Sequence, residues 1–216
     1  MSLLKEKDRE QVRKTFGKLT GNVRLVMFTQ EIECPYCRET RELMQEIASL
    51  SDKIIAEVYD FVSDKEKVEQ YGIDKIPAIV VEGEKDYGIR FYGIPGGYEF
   101  TSLMEDILDV SAGRSGLSPA TQASLAKLDT SVHIQVFVTL TCPYCPAAVR
   151  LAHRLAIERD AVRADMVETA EFPHLAHQYN VFSVPKVVIN EETEFEGALP
   201  EAEFVAKVLE ATREKG

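Results

Sequence analysis

The tetrapeptide Cys-Pro-Tyr-Cys occurs twice in this chain, at 34–37 and at 142–145, and it accounts for all four cysteines. From Cys34 to Cys142 the offset is 108 residues. The same offset carries Tyr71-Gly72-Ile73 onto Tyr179-Asn180-Val181, and Ile76-Pro77 onto Val184-Pro185. Further on it shrinks to 104, where Phe91-Tyr92-Gly93 faces Phe195-Glu196-Gly197 and Glu99-Phe100 faces Glu203-Phe204. Self-similarity at a fixed period marks one structural unit used repeatedly. The 216 residues therefore divide into two units of about 100 residues, a common domain size. Four residues are lost between strands in the second.

Each half reads as alternating strands and helices. Residues 23–28 are apolar and β-prone, and after Cys34 the positions Thr40, Leu43, Met44, Ile47 and Leu50 keep a helical spacing. A strand at 54–61, a short helix at 65–71 and a hairpin of 78–81 with 88–92 follow. Phe100, Leu103, Met104, Ile107 and Leu108 mark a closing amphipathic helix. The second half repeats the order at 132–138, 145–159, 162–167, 173–179, 186–189, 193–196 and 201–212, and each half begins with an extra helix. The Gly- and Ser-rich stretch 111–116 sets the boundary, giving domains 1–112 and 113–216. Ser118-Pro119 then reads as N-cap and first helical position of the next unit.

Charge narrows the function classes. The formal net charge is −11, and the 25 basic residues are interleaved with 36 acidic ones. A nucleic-acid binder needs a basic face to neutralise phosphates, so nucleic acid is excluded as an expected partner. No run approaches the roughly 18 apolar residues of a membrane span. The charged start, from Lys5 to Glu10, lacks the apolar core of a secretory signal. A cytoplasmic location is expected. Asn and Gln are scarce, at 3 and 7, which suits a thermophilic source.

Three chemistries compete for the cysteines. Two CxxC pairs could supply a zinc site, but such pairs usually lie about 15–20 residues apart, whereas Cys37 and Cys142 are far more distant. Structural disulfides stabilise by closing long loops, and a CxxC bridge closes almost nothing. Redox catalysis accounts for more. A CxxC at a helix start leaves its first sulfur near unsatisfied N–H groups and the positive end of the helix dipole, which favours the thiolate. The second sulfur, three residues on, shares the helical face and can attack the mixed disulfide. Pro35 and Pro143 are expected in the first helical turn, where a missing N–H costs nothing.

On these motifs the chain resembles the thioredoxin superfamily, and its doubled form resembles the two-domain protein disulfide oxidoreductases of hyperthermophiles. The likeness covers nearly the whole chain. It implies an α/β fold of two thioredoxin-like domains, each a central mixed sheet flanked by helices. It also implies cis prolines at 77 and 185 facing the CxxC motifs. Pro35, Tyr36, Ile76 and Pro77 would then line a substrate groove in the first half, with Pro143, Tyr144, Val184 and Pro185 in the second. Cys34 and Cys142 are expected to be nucleophiles, and Cys37 and Cys145 resolving thiols. The substrates would be protein thiols or disulfides, with no metal or organic cofactor, and electrons would pass to or from a flavoprotein of the thioredoxin reductase kind. Two alternatives stay open: a dedicated thiol electron donor to one enzyme such as a peroxidase, and a non-enzymatic metal or iron-sulfur scaffold.

The departures from the family also carry expectations. Thioredoxins place Trp before the first Cys and a buried acid six residues before it. Here those positions hold Glu33 and Thr141, and Phe28 and Val136. The usual proton acceptor is therefore absent. Glutathione-binding relatives have Thr-Val before the cis proline and a later Gly-Gly-acid turn, whereas this chain has Lys75-Ile76, Ser183-Val184 and a single Gly96-Gly97-Tyr98-Glu99. Free glutathione is expected to be a poor substrate. His133, His153, His174 and His177 are expected at the surface or at caps. Because Glu33 sits beside Cys34 and neutral Thr141 beside Cys142, Cys142 is expected to be the more acidic thiol.

Overall fold

The computed structural model describes residues 3–212, folded as two copies of one plan. The first comprises α1 (Glu6–Phe16), β1 (Val23–Thr29), α2 (Cys37–Ala48), β2 (Ile54–Asp60), α3 (Lys65–Tyr71), β3 (Ala78–Glu82), β4 (Asp86–Tyr92) and α4 (Glu99–Ala112). The second comprises α5 (Pro119–Leu125), β5 (Val132–Val138), α6 (Cys145–Glu158), β6 (Val162–Glu168), α7 (Pro173–Gln178), β7 (Lys186–Ile189), β8 (Thr193–Glu196) and α8 (Glu201–Ala211). The apolar spacing of α2 is used as its period dictates: Thr40, Leu43, Met44 and Ile47 are buried on one face. Ser118 caps α5 by accepting the Thr121 N–H at 3.3 Å, directly ahead of Pro119.

The sheets differ from the expectation of one per unit. All eight strands form one continuous sheet in the order β2-β1-β3-β4-β6-β5-β7-β8. The seam is a parallel pairing of β4 with β6, from Ile89 opposite Ala164 to Tyr92 opposite Val167. The four residues present only in the first half explain it. They lengthen the β3–β4 hairpin, so that β4 has seven residues, mostly buried, where β8 has four with Glu194 and Glu196 exposed. A short, charged strand makes a protected edge; a long apolar one invites a partner.

Helices cover both faces. On one, α1, α2, α4, α6 and α8 bury residues such as Leu43, Leu103, Ile107, Val149 and Phe204. On the other, beneath α3 and α7, lie Phe28, Tyr71, Tyr92, Phe137 and Phe172. A fully buried Phe such as Phe137 contributes about 2–3 kcal/mol by removal from water. Polar groups also tie the units together. Arg163 of β6 donates from Nη1 to Gly72 O at 2.9 Å and from Nη2 to Tyr92 Oη at 2.6 Å. His174 and His177 are exposed, but His153 corrects the surface expectation: it is fully buried in α6, with Nδ1 donating to Asp106 Oδ2 of α4 at 2.6 Å. Burial also pushes the Asp106 carboxyl up, against the pull of His153. Among the described residues no helix is long and apolar enough to cross a membrane.

Strand direction places the sites. β1 is antiparallel to β3, β3 to β4, while β4, β6 and β5 run parallel. The loops leaving β1 and β5 therefore open at the same end of the sheet. They are four strand spacings apart, about 19 Å.

Candidate active site

Both CPYC motifs occupy the loop between a strand end and a helix start, and both are disulfides. Cys34 bonds Cys37 with Cα atoms 5.4 Å apart, and Cys142 bonds Cys145 with Cα atoms 5.5 Å apart. In each, the second sulfur is the more hidden. Cys37 and Cys145 are fully buried, Cys34 is part-exposed and Cys142 is 6% exposed. The helices begin at Cys37 and Cys145, with Tyr36 and Tyr144 as N-caps. Pro35 and Pro143 thus lie two residues ahead of the helix, not in its first turn as expected, because the turn into the helix has to reach the first cysteine. There they preset the φ of the entering chain.

The helix terminus meets sulfur directly in the second site. The Cys145 N–H points to Cys142 Sγ at 3.1 Å, which is the arrangement that stabilises a thiolate there after reduction. In the first site the corresponding Cys37 N–H donates to Cys34 O at 3.4 Å instead. Glu33, just before Cys34, has φ of +61°, a conformation uncommon for residues other than glycine.

The Ile76-Pro77 and Val184-Pro185 peptide bonds are both cis. Cys142 Sγ lies 3.7 Å from Val184 O, so the second disulfide abuts the residue before its cis proline. The carbonyls of Pro77 and Pro185 accept the N–H groups of Gly93 and Gly197 at 3.0 and 2.8 Å. Tyr36 and Tyr144 are exposed beside the disulfides, at 40% and 71%. Ile76 and Val184 are half-buried, and the two prolines are buried.

Phe28 and Val136, at the usual position of a buried acid, are fully buried and apolar. Two carboxyls that sequence reasoning does not single out stand instead at the seam between the units. Glu99, the first residue of α4, is fully buried, and burial pushes its carboxyl up to about 7. Its Oε2 accepts from Ser102 Oγ at 2.6 Å, while Oε1 is buried without a partner among the described residues. The preceding turn docks on the loop of the second site: Tyr98 N–H donates to Leu140 O at 3.1 Å, two residues ahead of Cys142. Gly97 has φ of +56°, and a Cβ there would collide with Leu140 O. The Gly96-Gly97 turn is thus built for contact between units. Its acid is the signal that could have pointed to Glu99.

The second carboxyl, Glu171, follows β6 and reaches the first unit, where Oε1 accepts the Ile94 N–H at 2.6 Å. Burial pushes it up to about 7 as well, aided by the neighbouring Glu168 and Glu39 charges. No sequence signal marks it. By the 108-residue offset its counterpart is Ser63, and the 104-residue counterpart of Glu99 is the exposed Glu203. Among the described residues no group of three or more His, Cys, Asp or Glu side chains is arranged to hold a metal.

A family model described as a thioredoxin domain matches twice, over residues 25–105 and 132–210. The NTD_N/C domain of alkylhydroperoxide reductase AhpF from Enterococcus faecalis superposes with a TM-score of 0.88 at 31% identity, covering 95% of this chain and 99% of that one. A protein disulfide oxidoreductase from Aeropyrum pernix gives a TM-score of 0.90 at 32% identity, covering 96% and 93%. Among curated relatives, an alkyl hydroperoxide reductase polypeptide of Pseudomonas aeruginosa is 28% identical over 79% of this chain and 31% of its own length. An NADH dehydrogenase of Bacillus subtilis is likewise 28% identical, over 79% and 31%. The chain spans about a third of the length of these curated relatives.

Proposed function

We propose that this chain, which belongs to the thioredoxin family and carries two redox-type disulfides, catalyses thiol-disulfide exchange on other proteins through both CPYC motifs. The observation that carries the reading is the repeated geometry. At both ends of the repeat, a disulfide with one more accessible sulfur and one hidden sulfur stands at a helix start, with a cis proline following in the same unit.

In the reducing direction, the thiolate of Cys34 or Cys142 attacks a substrate disulfide. One substrate sulfur leaves and takes a proton, and the other remains in a mixed disulfide with the enzyme. Cys37 or Cys145 then loses its proton and attacks the enzyme sulfur of that bond, releasing the second substrate thiol and leaving the enzyme oxidised. Two electrons pass from enzyme to substrate. The reverse sequence makes a disulfide, and release of the wrong partner followed by re-attack isomerises one.

Protein-sized substrates are supported by what surrounds the sites. Ile32, Tyr36, Val62, Tyr98, Tyr144 and Phe182 are large apolar side chains left exposed, and all lie in loops at the end of the sheet where the motifs open. Such a concentration at one end marks an interaction surface. A buried carboxyl at the seam, Glu99, stands in the unit interface next to the loop of the second site and is the group best placed to exchange a proton there.

Insulin reduction with dithiothreitol as electron source tests this. The wild-type protein should accelerate precipitation of the insulin chains, and the Cys34→Ser/Cys142→Ser variant should not. Full activity in that variant would refute the assignment.

A second reading, a dedicated electron donor within a peroxide-reducing system, is favoured by the AhpF likeness. In it a flavoprotein would reduce the disulfides, which would pass electrons to one enzyme. Slow exchange with insulin and other model proteins, together with fast reduction of a single peroxidase, would select this reading.

A further inference from the structure

We propose that Glu171, on the loop after β6 of the second unit, is a positioning residue for the first CPYC, its carboxylate setting how readily the Cys34–Cys37 pair is reduced. This rests on the redox reading above and names a control on that same site. One unit would then carry the charge that tunes the thiols of the other.

The geometry brings Glu171 to the first site from two sides. Its Oε1 accepts the Ile94 N–H, and the adjacent Gly93 N–H donates to the carbonyl of cis Pro77 at 3.0 Å. The approach is close enough to require glycine. Gly93 has φ of +96°, and a Cβ there would lie 2.7 Å from Glu168 Cβ and 2.8 Å from Glu171 Oε1. From the other side, Glu39 of α2 acts on the Glu171 carboxyl, and Glu39 is two residues past Cys37. The groups that face Glu171 are therefore the Ile94 N–H, Glu39 on α2 and Glu168 on its own loop, whose Oε2 also accepts the Glu171 N–H at 2.7 Å. Its second oxygen, Oε2, is buried without a hydrogen-bond partner among the described residues. A charge on such a group is poorly solvated and acts over a longer range than one in water.

The direction of the effect follows. When dithiothreitol reduces Cys34–Cys37, the protein S–S bond breaks, and the two dithiothreitol thiols close into a ring disulfide. Two electrons reach the protein sulfurs, and their protons come from the dithiothreitol thiols. Where Cys34 is left as a thiolate, one proton goes to buffer. An ionised Glu171 opposes that thiolate, so it raises the Cys34 pKa and makes the pair harder to reduce; a protonated Glu171 does neither. The second site lacks the device, because the position equivalent to 171 in the first unit is Ser63 and a Cβ at Gly197 would meet nothing within 4 Å.

The test uses the full chain with Cys142→Ser and Cys145→Ser, so that only the first site reports. The reduced fraction is measured across dithiothreitol redox ratios at about pH 6 and about pH 8, with and without Glu171→Gln. The amide keeps an acceptor for the Ile94 N–H. At about pH 8 the substitution should shift the equilibrium toward the reduced form by about threefold or more, and by much less at about pH 6. Glu39→Gln, at an exposed position, should move the pH at which this difference appears downward, because it removes a charge that opposes ionisation of Glu171. An equal shift at both pH values, no shift at either, or an unmoved pH in the Glu39 variant would overturn the proposal. Failure of Cys34–Cys37 to exchange with dithiothreitol while Glu171 is present would instead overturn the redox reading, and this proposal with it.

Discussion

His153 Nδ1 lies 2.6 Å from Asp106 Oδ2, with both residues fully buried between α6 of one unit and α4 of the other, and Phe91 packs edge-on to the imidazole at 4.9 Å. Removing one member of a buried pair strands the other, whereas replacing both with apolar groups can be nearly neutral. His153→Ala should therefore destabilise the protein by about 3 kcal/mol or more, and Asp106→Leu/His153→Leu by clearly less. Urea unfolding of the two variants decides. Equal losses would show that packing, not the stranded carboxyl, sets the cost.

The seam also depends on backbone proximity at Gly97. Alanine there meets Leu140 O and must hold a positive φ. Gly97→Ala should cost about 2 kcal/mol or more and, because Leu140 leads into the second motif, should slow alkylation or exchange at Cys142 more than at Cys34. A variant as stable as wild type by thermal unfolding would contradict this account of the turn.

The raised Glu99 carboxyl makes stability depend on pH. Burial lifts it to about 7, so the folded protein holds this proton more tightly than the unfolded chain does. Its contribution to stability is full below the ordinary carboxylate range near 4.5 and is lost as pH rises through about 7. Glu99→Gln should accordingly be more favourable to stability at about pH 8 than at about pH 5, by about 2 kcal/mol relative to wild type. Urea unfolding at both pH values measures the difference, and a pH-independent difference would contradict the prediction.

The two sites should also be unequal. Cys142 Sγ receives the Cys145 N–H, while the Cys37 N–H turns to a carbonyl and Glu33 stands next to Cys34. Both differences favour a lower pKa for Cys142 and a more oxidising second disulfide. Iodoacetamide alkylation against pH, in one variant with Cys34 and Cys37 replaced by Ser and another with Cys142 and Cys145 replaced, should give the lower apparent pKa to Cys142. Equal values, or a lower one for Cys34, would reject the ordering.

Local pattern makes much of this legible. The repeat of CPYC and of the later X-Pro, together with the change of apolar period from strand to helix, places the elements and brings Cys34 with Cys37 and Cys142 with Cys145. What escapes it lies between the repeats. Continuity of the sheet depends on β4 being longer than β8, a difference visible only as a four-residue change of offset, and nothing local says that β4 will pair with β6. Glu99 sits in a visible Gly-Gly-acid turn, but the surface that turn meets belongs to the other half, and Glu171 has no acidic counterpart at all. His153 reads as a surface histidine because its partner, Asp106, lies in the other unit. Contacts between units leave no periodic trace in either one.

In this mechanism Cys34 and Cys142 are the attacking sulfurs. With Cys37 and Cys145 both replaced by Ser, the mixed disulfide cannot be resolved internally and should accumulate on a disulfide-bearing protein such as insulin. Mapping the trapped adducts by non-reducing peptide mass spectrometry should find insulin cysteines bonded to Cys34 and to Cys142. Absence of adducts at both residues, in a folded variant, would contradict the account.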